Sequence, residues 1–217
     1  MFIDVHTHNT QSVNAINSFH FSENINPEAT CPHFSVGIHP WWAEDVNIDA
    51  FINYCEAHPK GLVAIGECGI DNLKGPSIEI QQRVFDMQIL LAAKLQLPII
   101  VHMVKSADLI YRKIKETPHL QFILHGFNGS IEMVNQFLLP NVYYSLGAGI
   151  LKTDNKNITL LKHIPLNKLF FETDNSVIPI EKIYDRFCVV RKCTLSELKK
   201  QITENFEKVF NTHGKMD

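Results

Sequence analysis

The sequence is poor in three things that would each fix a class of function. It has almost no excess charge: 20 Lys and Arg stand against 23 Asp and Glu, a net charge of −3. Nothing global therefore marks a nucleic-acid binder, and any grip on phosphate has to come from a local patch or from metal. It has no long hydrophobic run. No apolar stretch reaches the roughly 18–20 residues that a membrane span requires, and the N-terminus lacks the basic-then-apolar pattern of a secretory leader. It is also short of cysteine. The five present, Cys31, Cys55, Cys68, Cys188 and Cys193, are odd in number and include no Cys-x-x-Cys pair. They read as reduced thiols of a cytoplasmic protein rather than a disulfide framework or a thiolate metal cluster. Linkers, low-complexity tracts and internal repeats are missing as well. With 45% apolar and 20% charged residues, residues 1–217 are expected to form a single domain around one core, as a monomer without membrane attachment.

What the sequence does contain is a rhythm. Strand-like stretches at 2–8, 14–21, 34–38, 62–66, 99–101, 121–124, 142–146 and 169–171 are rich in β-branched and aromatic residues. From residue 48 onward they alternate with helical patterns at 48–57, 78–97, 106–117, 131–139 and 157–163, and two further helices, 180–192 and 195–211, close the chain. Prolines stop several of them, Ser106 is an expected N-cap, and Thr194 with Glu197 forms a capping box. Alternating strands and helices imply a parallel sheet, and eight strands imply a closed (β/α)₈ barrel of the TIM type, with a doubly wound open sheet as the alternative. The chain is short for such a barrel, and the missing length lies in the first two connections, where no helical pattern fits.

In a barrel of this kind, chemistry sits where strands end, on the C-terminal rim. The first strand ends in His6-Thr7-His8, the third in His39, the fourth in Glu67, the fifth in His102, the sixth in His125 and the eighth in Asp174. Each has an ordinary explanation alone: a satisfied core histidine, a solvated loop carboxylate, a turn cap. Falling together on strand ends, they point to metal. Imidazoles with carboxylates and no thiolates suit Zn²⁺, Mn²⁺, Fe²⁺ or, less well, Mg²⁺. Even with one of the five rim histidines left over, six ligands, four His with one Glu and one Asp, exceed what one tetrahedral catalytic ion takes. They suit two divalent ions sharing a bridging carboxylate, the arrangement that activates water for hydrolysis. A phosphodiester is the first substrate class implied, and an amide or ester the next.

The same residues carry a resemblance. Phe2-Ile3-Asp4-Val5-His6-Thr7-His8, Val36-Gly37-Ile38-His39-Pro40, Gly66-Glu67-Cys68-Gly69-Ile70-Asp71, Pro98-Ile99-Ile100-Val101-His102, His125-Gly126-Phe127-Asn128-Gly129 and Glu172-Thr173-Asp174 resemble, in order, the motifs of the TatD family of metal-dependent deoxyribonucleases. Asn205 and Phe210 are similar to its closing helix. The resemblance implies a metal-dependent hydrolase barrel acting on single-stranded or frayed DNA, or on a small phosphoester. It implies that His6, His8 and Asp174 hold one ion, that His102 and His125 hold the other, and that Glu67 bridges them. It makes Asp174 the base and places His39 at the phosphate or leaving group. The Asp4-x-His6-x-His8 start also resembles polymerase-and-histidinol-phosphatase-type phosphoesterases, but the later motifs fit TatD better. The chain departs from the family pattern in the shortened stretch between His8 and Val36, in Val104 where the family often has Arg, and in the absent Pro and Arg-Gly loop after Asp174. A small-molecule amidohydrolase or phosphoesterase on the same site is the alternative enzyme. A binding protein on a retired barrel is the alternative outside enzymes.

Several neighbours admit two readings. Trp41 and Trp42 either stack bases or pack the next helix onto the barrel. Lys105 either meets a phosphate or is solvated. Asp4 either orients a ligand or fills the barrel. Gly147 and Gly149 suit either a close backbone approach or a turn with positive φ. Cys68 reads as packing, and Arg83, Lys113, Lys199 and Lys200 as solvated helix faces.

Overall fold

The computed structural model describes residues 1–12, 14–57 and 59–210; the Asn211 end of the expected last helix lies outside the described residues. Eight parallel strands follow in chain order: β1 (Asp4–Thr7), β2 (Ala15–His20), β3 (Phe34–Gly37), β4 (Leu62–Asp71), β5 (Ile99–Val104), β6 (Phe122–Leu124), β7 (Val142–Leu146) and β8 (Leu169–Phe171). The ring closes between its two ends. Asp174 N donates to His6 O at 2.9 Å, and His8 N donates to Asp174 O at 3.1 Å. This is the expected TIM-type barrel. The expected helix-free start is present too: between β2 and β3 the described chain makes only a single 3₁₀ turn, Pro27–Ala29.

Helices α1 (Ile48–Glu56), α2 (Ile78–Leu95), α3 (Ala107–Glu116), α4 (Ile131–Gln136) and α5 (Asn155–His163) wrap the outside, followed by α6 (Ile180–Arg191) and α7 (Leu195–Phe210). Thr194 and Glu197 form the expected capping box, with Glu197 N donating to Thr194 Oγ1 at 3.2 Å and Thr194 N to Glu197 Oε2 at 2.9 Å. Ser106 stands at the start of α3, but its hydroxyl donates to Ile70 O at 2.7 Å instead of accepting from the helix. The end of the lengthened β4 takes it. Asp154 caps α5 two residues earlier than the periodicity predicts. No described helix is long and apolar enough to cross a membrane.

Polar side chains on the helices fasten the strand ends that matter for chemistry. On α2, Gln81 and Gln88 lie seven residues apart and so share a helix face. Gln88 accepts from Ile38 N (2.8 Å) and donates to Ile38 O (3.0 Å), fixing the residue before His39. Gln81 does the same for Asp71, at 2.8 and 3.1 Å. Tyr184 on α6 pairs with both backbone groups of Ile3, and Asn205 on α7 donates to Leu166 O and Leu169 O, both at 2.8 Å. Buried amides without partners are costly, so each of these pairs selects one docking of helix on barrel.

Candidate metal centre

The site is organised around the buried carboxylate of Glu67. Its two oxygens face different imidazoles. Oε1 lies 2.6 Å from His102 Nδ1, 2.7 Å from His125 Nε2 and 3.4 Å from His39 Nε2. Oε2 lies 3.5 Å from His6 Nε2 and 3.8 Å from His8 Nε2. Asp174 Oδ1 stands on the Oε2 side, 3.5 Å from both His6 Nε2 and His8 Nε2. All seven residues expected at the rim are thus gathered in one place, in two groups on either side of one carboxylate.

Local backbone makes this possible. At Gly69 (φ +147) a Cβ would sit 2.0 Å from His102 O, so only glycine allows β5 to run close enough to bring His102 against Glu67. Asp174 is in the left-handed region (φ 53), an uncommon place for a residue with a side chain. The two hydrogen bonds across the barrel seam hold it there.

Electrostatics follow from the crowding. Burial alone would raise the Glu67 carboxyl, but the His125 charge and the hydrogen bonds from His102, His125 and His39 outweigh it and hold it well below the usual carboxylate range. Burial and the His125 charge oppose protonation of His6, yet Asp174 and Glu67 lift it to about 9. His125 is also raised well above its ordinary value, against burial, by Glu67 and Glu172. Burial would raise Asp174, and the His6 ring 3.5 Å away brings it below the usual range. His39 goes the other way: burial dominates and lowers it.

The hydrogen-bond partners also fix which ring nitrogen carries the proton in each neutral imidazole. His8 Nδ1 donates to Ser18 O at 3.0 Å, leaving the Nε2 lone pair toward Glu67. His102 Nε2 faces Asp71 Oδ2 at 3.2 Å and Nδ1 faces Glu67 Oε1 at 2.6 Å; with its proton toward Asp71, in place of the one given to Glu67, the Nδ1 lone pair turns inward. His125 Nδ1 lies 3.4 Å from Glu172 Oε1, an ion-pair contact without hydrogen-bond geometry, and its Nε2 faces inward. Neither ring nitrogen of the fully buried His6 makes a hydrogen bond. Once a cation displaces the protons that the neighbouring carboxylates hold on His6 and His125, these four imidazoles offer lone pairs beside ionised carboxylates, so the donor set fits divalent cations. His39 is reversed. Its Nδ1 accepts from Trp41 N at 3.2 Å, so its proton sits on Nε2 and points into the site. Two triads of donor atoms lie mutually within 4.8 Å, His6 with His8 and Glu67, and His39 with Glu67 and His102. In the second, the tautomer makes His39 a hydrogen-bond donor, and His125 has the lone pair.

Asp71 and Glu172, the carboxylates behind His102 and His125, were not singled out from the sequence. Both had a signal. With β4 running through Asp71, alternation places Glu67, Gly69 and Asp71 on one face, and Glu172 stands two residues before Asp174. Asp71 also accepts from Trp41 Nε1 at 2.6 Å and Leu73 N at 2.9 Å, and Glu172 accepts from Gly126 N at 2.6 Å. Asp4 orients no imidazole. It accepts from Thr173 N (3.1 Å) and the His6 backbone N (3.3 Å), with Thr173 Oγ1 at 2.7 Å, and so ties β1 to the end of β8. Gly147 and Gly149 do not have positive φ; Gly147 instead lies close to Glu172, where a Cβ would be 3.6 Å from Cγ. Lys105 is exposed and does not line the cavity over the metal centre. Trp41 and Trp42 do, together with His20, which was not anticipated.

A family model described as TatD related DNase matches residues 3–211. An uncharacterized metal-dependent hydrolase, YabD of Bacillus subtilis, is 31% identical over 196 residues, covering 81% of this chain and 76% of its own length. The Schizosaccharomyces pombe deoxyribonuclease Tat-D is 28% identical over 169 residues, 70% of this chain but only 53% of that protein. Among solved structures, the TatD homolog YjjV of Escherichia coli superimposes with a TM-score of 0.85 at 22% identity, covering 97% of this chain and 98% of its own.

Proposed function

We propose a two-ion phosphodiesterase mechanism for this chain, which belongs to the TatD related DNase family and is a metal-dependent hydrolase. The observation that carries the proposal is the division of labour at Glu67, one oxygen toward His6 and His8 and the other toward His102 and His125. On this reading His6, His8 and Asp174 would hold one ion, His102 and His125 would hold the second, and Glu67, which faces both groups, would be shared between them. Zn²⁺, Mn²⁺, Fe²⁺ and Mg²⁺ all suit such donors. The ions supply Lewis-acid polarisation and activation of water.

The protein groups do the rest. Asp174, which His6 holds below the usual carboxylate range, is ionised at neutral pH and would take a proton from the attacking water. His39 is neutral and presents Nε2–H, so it donates either to a phosphoryl oxygen or to the leaving oxygen. Asp71, which accepts from His102, and Glu172, whose charge stands 3.4 Å behind His125, favour the tautomers that ligation needs. The substrate proposed is DNA, single-stranded or frayed at its end, trimmed from the terminus. The five unpaired cysteines support a cytoplasmic location, and we propose that the protein acts as a monomer.

The test is release of nucleotides from 3′-labelled single-stranded DNA by metal-stripped protein re-supplied with Mg²⁺, Mn²⁺ or Zn²⁺, beside a Glu67→Ala control. Trimming restored by metal and lost in the control is the expected result. No trimming with any metal, while about two ions still bind per chain, would overturn the nuclease reading and leave small phosphoesters and amides as substrates. Metal binding with no turnover of any ester or amide would make the barrel a binding protein.

A further inference from the structure

We infer that the cavity beyond the His20–Trp42 pair is a base subsite, which takes the flat ring of the nucleotide whose phosphate meets the metal centre. The inference rests on the phosphodiesterase reading above and names what that site recognises. A cavity of about 380 Å³ lies over the metal centre and a second of about 390 Å³ lies beside it; His20 and Trp42 line both. Their rings form a continuous aromatic wall, with centroids 4.7 Å apart and Trp42 a further 5.3 Å from His39.

The two tryptophans are differently employed. Trp41 has its indole N–H tied to Asp71 and the Lys74 ammonium 3.4 Å from its ring centroid, so its donor and one face are taken. Trp42 remains 44% exposed at the mouth of the site. An indole left in water between two cavities is a surface on which a planar ring gains most by stacking.

Charge says what the neighbouring cavity rejects. Among the described residues, no lysine or arginine lines either cavity. The second is bordered by Glu23 and Asp45, whose carboxylates repel phosphate and accept N–H groups from the edge of a base, and by Asn47, which caps α1 and donates to Glu23. A strand recognised along its backbone needs a row of cations, and these walls provide none. Recognition therefore falls to one ring next to the scissile bond, which favours chain ends and short oligonucleotides over long strands.

Two measurements test this. The first compares steady-state kinetics of the metal-loaded enzyme on a dinucleotide and on its analogue lacking the base beside the scissile phosphate. Loss of the base is expected to raise KM about 5- to 100-fold, the usual range for one base–aromatic stack, with kcat nearly unchanged. Trp42→Leu should impose that penalty on the base-bearing substrate and little more on the base-free one, and Trp42→Phe should restore most of the difference. Equal KM for the two substrates in the wild type, or an equal loss on both in Trp42→Leu, would overturn the subsite. The second measurement needs no turnover: adenosine titrated into metal-free protein should shift the indole N–H resonance that Trp42→Leu removes. No shift at millimolar adenosine overturns the subsite even if DNA is cleaved. A shift in a protein that cleaves no phosphodiester would sustain the subsite while the nuclease reading fell.

Discussion

Metal uptake should be steeply dependent on pH, in a direction the geometry dictates. In the metal-free protein, the charges of Glu67 and Asp174 are balanced by protons on the imidazoles around them. His6 is lifted to about 9 by those carboxylates. An imidazole that ligates a cation must give up its proton, so metal and proton compete. At pH 7 His6 is neutral in about one molecule in a hundred, and freeing its lone pair costs about 2.7 kcal/mol, or tenfold in affinity for each pH unit. His125, also held well above its ordinary value, contributes a second proton. The apparent association constant for Zn²⁺ or Mn²⁺ should therefore climb between ten- and a hundredfold per pH unit from pH 6 to 8. The His6 contribution should vanish above about pH 9. Competition with a chromophoric chelator of known pH dependence measures the slope, and calorimetry in buffers of different ionisation enthalpy counts the protons released. Glu67→Gln removes a charge that raises both imidazoles and should flatten the slope. Affinity independent of pH between 6 and 8, with no protons released, would refute the reasoning.

Asp71→Asn should weaken metal binding by about ten- to a hundredfold, the usual effect of losing the carboxylate behind a ligating histidine; titration of the metal-free variant checks it. Gly69→Ala forces a Cβ to within 2.0 Å of His102 O at a φ of +147 and should cost more than about 2 kcal/mol in urea unfolding. Asp4 is raised to about 7, mainly by burial, so the folded state holds a proton that the unfolded chain releases at lower pH. Its contribution to stability is therefore full at about pH 4 and falls as pH rises through 7. Relative to Asp4→Asn, the wild type should lose about 1.4 kcal/mol per pH unit between roughly pH 5 and 7. The Thr173 hydroxyl supports the assignment. It lies 2.7 Å from Asp4 Oδ2 and 2.8 Å from Thr7 Oγ1, and its one proton can serve only one of them.

The barrel and the ligand set were legible because both are written in short-range patterns. Strands buried on two faces read as unbroken apolar runs, such as Ile99-Ile100-Val101, and a polar residue that ends such a run stands out. The histidines and carboxylates at the rim are visible for that reason alone. Strand length was less legible. β4 was expected to stop at Gly66 but runs to Asp71, because the two glycines that look like breakers, Gly66 and Gly69, are where β5 packs close. In each a Cβ would collide with a β5 carbonyl oxygen, that of Ile100 or of His102. A stop at Gly66 hides the alternation that puts Asp71 behind His102. His20 ends β2, but the expected strand runs on to Phe21 and hides it; its role arises from Trp42, which approaches from a different loop.

What no pattern of residue types reveals is the direction in which each imidazole presents its proton, and on this the chemistry turns. His8, His102 and His39 are the same side chain, each facing Glu67, at 3.8, 2.6 and 3.4 Å. A carbonyl behind His8 and a carboxylate behind His102 take a proton away from the site and turn a lone pair inward. A backbone N–H behind His39 does the opposite. The difference at His39 comes from the 3₁₀ turn Pro40–Trp42, which folds Trp41 N back onto the ring that precedes it. Three residues of turn geometry thus decide that one histidine of the rim donates to a substrate while its neighbours accept a cation. A site with His39 as a further ligand through Nε2 would move its proton to Nδ1 and set two donors, Nδ1–H and Trp41 N–H, against each other at 3.2 Å. The turn, rather than the residue type, separates the binding of metal from the handling of substrate.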